Sequence, residues 1–120
     1  MAISRLSEAS PTVGATEYSL PAASTTLATR TEIGFIAAVL DLNALAAGDE
    51  FLLQVYATAR SSAGTKRLVD SWPLFGNTGK PNLLWPSPGG SILVGNGWDV
   101  TLKKIAGTDR AIPFTLWLVQ

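Results

Sequence analysis

The sequence contains no cysteine and no histidine among its 120 residues. Without cysteine there is no disulfide framework, no thiol nucleophile and no thiolate metal site, and the redox compartment cannot be inferred. Without histidine the chain lacks the usual general base, the Ser-His-Asp and Cys-His arrangements, and zinc bound through imidazole. These absences remove the commonest catalytic and metal-binding constellations, so we expect neither a cofactor nor a metal.

Charge is also scarce. Charged residues make up 15% of the chain, with nine basic and nine acidic residues, against a usual fraction of about 25%. There is no basic excess, so nucleic-acid binding has no electrostatic footprint. Near-zero net charge favours association, and we therefore predict a protein that works within an assembly. A small soluble domain that is simply poor in charge is the alternative.

Long apolar segments are missing as well. The N-terminus has no apolar stretch of the kind that a secretory signal needs. The longest apolar run, residues 33–40, covers eight residues, whereas a membrane helix needs about 20. We expect a chain without a signal peptide, made in the cytoplasm and with no membrane partner.

What the chain does contain is a set of short alternating segments. Hydrophobic residues make up 47% of the sequence, enough for a single domain with its own core. Period-two patterns are clearest in residues 33–42, 50–60, 98–103 and 113–119, and turn-forming residues recur about every 8–12 residues. This pattern predicts an all-β fold, a single antiparallel β-sandwich of about seven or eight short strands. Both a jelly-roll and an immunoglobulin-like strand order remain open.

Residues 98–119 are predicted to form one terminal β-hairpin around a turn cluster at residues 106–110. The alternation places Trp98, Val100 and Leu102 on one face, and it makes Asp99 most simply an exposed residue. At the other end of the chain, residues 1–14 are small and polar without a sustained period, which predicts an N-terminal arm followed by the sandwich domain at 15–120. Residues 41–49 are predicted to form a single helical turn where the chain crosses between sheets.

The carboxylates are the remaining candidates for chemistry. Asp41, Asp49 and Glu50 lie close together along the chain, and paired carboxylates or converging oxygens could serve glycoside hydrolysis or calcium binding. The favoured interpretation makes Asp41 a cap and the other two solvated loop residues. We therefore predict no catalytic, cofactor-binding or metal residues, no small-molecule ligand, and a protein that is not an enzyme.

The aromatic residues favour contact surfaces. Trp98 and Trp72 are predicted to lie in the core, whereas Trp117 is out of phase with its apolar neighbours and Trp85 lies among prolines and glycines. Exposed tryptophans serve both subunit interfaces and carbohydrate sites. The predicted interface residues combine these rings with apolar residues near the two chain ends: Ile3, Leu6, Trp85, Trp117 and Val119.

Two segments, LDLNALAAGDEF (residues 40–51) and GWDVTLKKIAGTDR (residues 97–110), resemble small β-rich virion structural proteins of tailed bacteriophages. The resemblance implies a virion component, and proteins of this build are often capsid decoration (cement) proteins that coat the shell and bridge capsomers. It implies a position on the capsid surface, with the major capsid protein and copies of the chain itself (a trimer is possible) as partners. A head–tail connector, a tail or fibre-base subunit, and a carbohydrate-binding module are the alternatives. No binding residues carry over from the resemblance.

Overall fold

A computed structural model of the protein describes residues 2–60, 64–76, 84–86 and 92–120, with the backbone alone described for 84–86 and 92. Within these residues the chain forms eleven strands and no helix. In chain order the strands are β1 (Ile3–Ala9), β2 (Thr12–Val13), β3 (Tyr18–Ser19), β4 (Gly34–Asp41), β5 (Glu50–Ala57), β6 (Arg67–Phe75), β7 (Leu84–Pro86), β8 (Ile92–Val94), β9 (Asp99–Ala106), β10 (Arg110–Ala111) and β11 (Phe114–Val119). The prediction of an all-β fold is therefore confirmed.

The strands form two main antiparallel sheets in a sandwich-like arrangement. The first sheet has the order β1-β11-β4-β7, and β8 pairs with the other half of β4. The second sheet has the order β3-β9-β5-β6, and β2 pairs with β10 as a separate short ribbon. Strand β4 leads into β5 by crossing from the first sheet to the second, as predicted for residues 41–49.

The core lies between the two main sheets because their long strands alternate. In β11 the side chains of Phe114, Leu116 and Leu118 are buried, while the residues between them are half-buried. From the second sheet, Tyr18 meets the ring of Phe114 edge-on, with the ring centroids 6.1 Å apart. Each fully buried large apolar side chain stabilises the fold by roughly 1.5–3 kcal/mol. Trp98 is completely buried, as the sequence predicted.

The predicted terminal hairpin is wrong. Strand β9 lies in the second sheet between β3 and β5, whereas β11 lies in the first sheet between β1 and β4. The turn cluster does end β9, with Gly107 at φ +92°, but the chain then crosses to the other sheet through β10. An alternating pattern identifies a strand and its two faces; it does not identify the strand's partner.

The predicted helical turn is replaced by two tight turns. The N–H of Leu45 donates to the carbonyl of Leu42 and that of Asp49 donates to the carbonyl of Ala46, at 3.1 and 3.0 Å. Gly48 adopts φ +93°, which is the left-handed conformation that glycine tolerates. A segment this short cannot repay the cost of nucleating a helix.

The segment assigned to an arm begins with a strand of the first sheet. Strand β1 pairs with β11 from Ile3↔Val119 to Ala9↔Phe114. Gln120 and Ala2 exchange both backbone hydrogen bonds at 2.8 Å, so the two chain ends lie side by side. Strand β1 is an edge strand that buries little side-chain surface, so its residues can be small and polar. The sequence of this segment therefore shows no alternation that would identify a strand.

In the part of the chain that the structure describes, no helix is long and apolar enough to cross a membrane.

Candidate interaction surface

The outer surface of the first sheet carries a row of apolar residues that crosses four strands. The pairing aligns Ile3 with Val119, Val119 with Phe35, and Phe35 with Leu93. Leu93 and Ile3 are each 66% exposed and Phe35 is 46% exposed. We define the apolar face as this row with its neighbours: Ile3, Ile33, Phe35, Leu93, Trp117 and Val119.

The charges beside the apolar face are neutralised within the chain. Trp117 lies opposite Arg5 on β1 and Ala37 on β4. Arg5 forms an ion pair with Glu8, with 3.5 Å between Nη1 and Oε1. Both side chains are more than half exposed, so this pair adds little to stability. Its effect is to leave the surroundings of the apolar face without a dominant sign of charge.

The structure brings together three of the five predicted interface residues. Ile3, Trp117 and Val119 all lie on the apolar face. Leu6 is the extra residue of a β-bulge in β1 and packs against the core. Trp85 lies opposite Leu40 in the β4–β7 pairing, and its side chain is outside the described part of the structure.

Sequence reasoning did not include Ile33, Phe35 and Leu93 among the interface residues. A signal for two of them was present, because residues 33–40 are apolar on both faces, as in a strand covered on both sides or facing a partner. The structure shows the Ile36 side in the core and the Phe35 side uncovered. Leu93 had no such signal, since a three-residue strand is too short to show a period.

The free edges of the sheets are less suited to association than the apolar face. Strand β1 is bulged at Leu6, and β6 is bulged at Val69. In β6, Pro73 has no N–H to offer, and the carboxylate of Asp70 accepts the N–H of Ser71 at 2.8 Å. Bulges, prolines and charges of this kind are the devices by which edge strands avoid pairing with other chains.

The outer side of the second sheet holds a polar network that sequence reasoning missed. Asp99, predicted to be exposed, is 1% exposed. Its carboxylate accepts hydrogen bonds from the hydroxyl of Ser19 (2.7 Å) and from the N–H groups of Ala28 (3.0 Å) and Val100 (2.9 Å). Lys66 Nζ lies 3.9 Å from Asp99 Oδ2 and donates a hydrogen bond to the carbonyl of Ala28 at 2.6 Å. The prediction failed because residues 19–28 cover this face, which β9 alone does not reveal.

Burial dominates the electrostatics of that network. Desolvation raises the pKa of Asp99, and the hydrogen bonds and Lys66 oppose the rise only in part. Nearby, Glu17 accepts hydrogen bonds from the hydroxyls of Tyr56 (2.9 Å) and Thr101. Burial and the Glu17 carboxylate raise the pKa of Tyr56 to about 12. Tyr56 therefore stays protonated at neutral pH, and the network is suited to fixing residues 17–28 rather than to proton transfer.

Asp49 and Glu50 were both predicted to be solvated loop residues, and neither is: Glu50 is the half-buried first residue of β5. Asp49 is buried rather than solvated. The N–H groups of Ala46 and Thr108 and the guanidinium of Arg110 donate to it at 2.8, 3.1 and 2.7 Å. These contacts lower its pKa and hold the crossing from β4 to β5 against the crossing after β9.

The helix cap predicted at Asp41 is wrong, because residues 42–49 form no helix; the carboxylate of Asp41 instead accepts the N–H of Asn43 at 2.9 Å in the turn after β4. With Glu8 it also borders a shallow cleft of about 390 Å³ at the end of the first sheet away from the apolar row. Glu8 is paired with Arg5, so the cleft offers no pair of free carboxylates. No group of three or more potential metal ligands occurs among the described residues.

The feature best placed to contact another molecule is therefore the apolar face. Comparison of the chain with known protein families, with curated proteins and with solved structures returns no match.

Proposed function

We propose that this chain is a non-enzymatic structural protein of a tailed-bacteriophage virion, most simply a capsid decoration protein that binds the major capsid protein and its own copies. The observation that carries the proposal is the apolar face, an uncovered apolar surface on a chain with almost no net charge. The virion setting comes from the resemblance of residues 40–51 and 97–110 to structural proteins of tailed bacteriophages. We also infer that the two sheets form an antiparallel β-sandwich of jelly-roll or immunoglobulin-like type.

The mechanism would be adhesive. The four most exposed side chains of the apolar face are 46–70% exposed: Ile3, Ile33, Phe35 and Leu93. Together they present on the order of 400 Å² of apolar surface, the size of the largest patch on a typical monomer, and such a patch is often functional. Burying apolar surface is worth roughly 25 cal/mol per Å² before the costs of association are subtracted. One such contact is weak. In a symmetric shell the contacts of many copies act together, because each bound neighbour raises the effective concentration of the next.

The proposal is tested by decoration of particles that lack this chain. We expect the purified protein to bind such particles in many copies and to raise their resistance to heat. Phe35→Asp places a charge in the middle of the apolar row and should abolish binding. Leu68→Asp is the matched control, because Leu68 is similarly exposed (51%) but lies on β6 of the second sheet, and it should bind normally.

Other outcomes would contradict decoration. A few copies to a dozen per particle would indicate a neck, tail or fibre-base subunit. Binding to oligosaccharide with quenching of tryptophan fluorescence, and none to particles, would indicate a carbohydrate module. The structure gives that module little support, since Trp117 is flanked in its row by Arg5 and Ala37 rather than by a second ring.

A further inference from the structure

Strand β1 is the most weakly anchored long strand of the first sheet. None of its seven residues is fully buried, and its pairing partner in the described structure is β11 alone. Leu6 and Ala9 pack partly against the core, and the hydroxyl of Ser7 donates to the carbonyl of Leu20 at 2.7 Å. An edge strand with so little buried surface is expected to open locally well before the domain unfolds.

The chain is held firmly immediately after β1. Val13 is 1% exposed. The N–H of Ile112 donates to the carbonyl of Pro11 at 2.9 Å, and the N–H of Lys104 donates to the carbonyl of Gly14 at 2.8 Å. The change from weak to firm attachment falls at residues 10 and 11, a two-residue connection that contains a proline. A short connection at such a boundary is where exchange of an element between copies begins.

Opening β1 would leave β11 as an edge strand with an apolar outer face. Its backbone would lose the partners that β1 now provides, and Trp117 and Val119 would be further exposed. The segment that satisfies these groups completely is residues 2–9 of a second copy. The Arg5–Glu8 ion pair lies within β1, so the strand carries its own charge compensation wherever it docks.

We propose that β1 is exchanged between copies, so that in the assembled state residues 2–9 of one chain pair with β11 of its neighbour. This inference rests on the proposed function, because self-association is what brings copies together. Exchange replaces contacts with identical ones and gains no contact energy. In dilute solution β1 pairs with β11 of its own chain rather than with that of another copy, because a short linker gives the intramolecular partner an effective concentration in the mM range. Close packing of copies removes that advantage.

The absence of cysteine makes a cross-linking test clean. Ala2 and Gln120 exchange both hydrogen bonds, so they form a hydrogen-bonded pair with Cα atoms roughly 5.5 Å apart, and neither belongs to the apolar face. That spacing permits a disulfide. Ala2→Cys and Gln120→Cys chains, each carrying a different tag, are mixed at mM concentration, warmed and oxidised. We expect a disulfide-linked dimer that contains both tags.

A mismatched mixture is the control. Ala9→Cys lies opposite Phe114 at the far end of β1, so its mixture with Gln120→Cys should lose the cross-link. Equal dimer in both mixtures, or none in the matched one, overturns exchange. The double variant Ala2→Cys/Gln120→Cys should close on itself in dilute solution, which checks the register.

The same double variant separates the two proposals. If its oxidised form, with β1 locked to its own chain, decorates particles as well as its reduced form does, exchange is wrong and the proposed function stands. If neither form binds particles and the unmodified chain also fails to bind, it is the proposed function that is wrong.

Discussion

Two buried aspartates should respond to acid in opposite directions. Hydrogen bonds from backbone N–H groups and Arg110 lower the pKa of Asp49 below the ordinary value of 3.8. Its contribution to stability is therefore present above that value and is lost as the pH falls through the folded-state pKa. Burial raises the pKa of Asp99 above 3.8. The folded state then binds that proton more tightly, so this contribution is complete below 3.8 and is lost as the pH rises through the folded-state pKa.

We expect Asp49→Asn and Asp99→Asn to differ in the pH dependence of their stability deficits. The Asp49→Asn deficit should shrink as the pH is lowered past 3.8, because the native carboxylate is then protonated and no longer stabilises the fold as an anion. The Asp99→Asn deficit should grow as the pH falls towards 3.8, because the native protein gains stability that the amide cannot. Urea unfolding of both variants and the native chain across this range measures the difference. Parallel curves for the two variants would contradict the assigned environments.

Trp98 should contribute through both its packing and its indole N–H. The side chain is completely buried, and Nε1 donates to the carbonyl of Glu32 at 2.9 Å. Trp98→Ala should destabilise the fold by about 3–5 kcal/mol through the cavity it leaves. Trp98→Phe keeps most of the packing but leaves the Glu32 carbonyl without this donor, at a cost of about 1–3 kcal/mol. Urea midpoints rank the two. A loss near zero in Trp98→Phe would mean that the hydrogen bond contributes nothing, and equal losses would mean that the packing removed only by Trp98→Ala contributes nothing.

At the scale of elements, the crossings between sheets depend on two glycines in nearly the same conformation. Gly107 has φ +92° and Gly48 has φ +93°. A Cβ on Gly48 would meet nothing within 4 Å, whereas on Gly107 it would lie 2.2 Å from Asp49 Oδ1 and 2.8 Å from Asp49 Cα. Alanine at either site carries the left-handed penalty of about 1–2 kcal/mol. Only at Gly107 must it also displace Asp49.

We therefore expect Gly107→Ala to destabilise the domain clearly more than Gly48→Ala. Gly48→Ala controls for the cost of the left-handed backbone conformation. The additional loss of stability in Gly107→Ala then measures how tightly the turn after β9 packs against Asp49. Urea unfolding of the two variants measures it. Equal losses would show that the contact between Gly107 and Asp49 carries no energy.

The elements also show how far the sequence predicts this fold. The alternation at residues 33–42, 50–60, 98–103 and 113–119 predicts four strands, and each segment overlaps a long strand of the structure: β4, β5, β9 and β11. Their sheet partners could not be predicted, since pairing depends on which sheet each crossing enters. Strand β1 was missed because an edge strand can be mostly polar. The face of β9 that holds Asp99 was misjudged because its cover comes from residues 19–28 and Lys66, which are distant in sequence.

At the scale of the whole molecule, the apolar face and the low charge make one testable statement about how the chain binds particles. Association through an apolar surface without a dominant charge should change little when salt rises from about 0.1 to about 1 M, although the Debye length falls from roughly 10 to 3 Å. Its heat-capacity change should be negative, because apolar surface is buried. Sulfate, which strengthens apolar burial, should tighten it.

Titration calorimetry on particles lacking this chain, at several salt concentrations and temperatures, measures these quantities. Phe35→Asp should remove the binding heat, while Leu68→Asp should leave it unchanged. Affinity that collapses with salt would mean that ion pairs with the particle dominate, and the apolar face would then be the wrong surface. Affinity that is unchanged by salt and also unchanged by Phe35→Asp would place the contact elsewhere on the molecule. The next surface to mutate would then be the exposed side of β6, which carries Leu68, Val69 and Phe75.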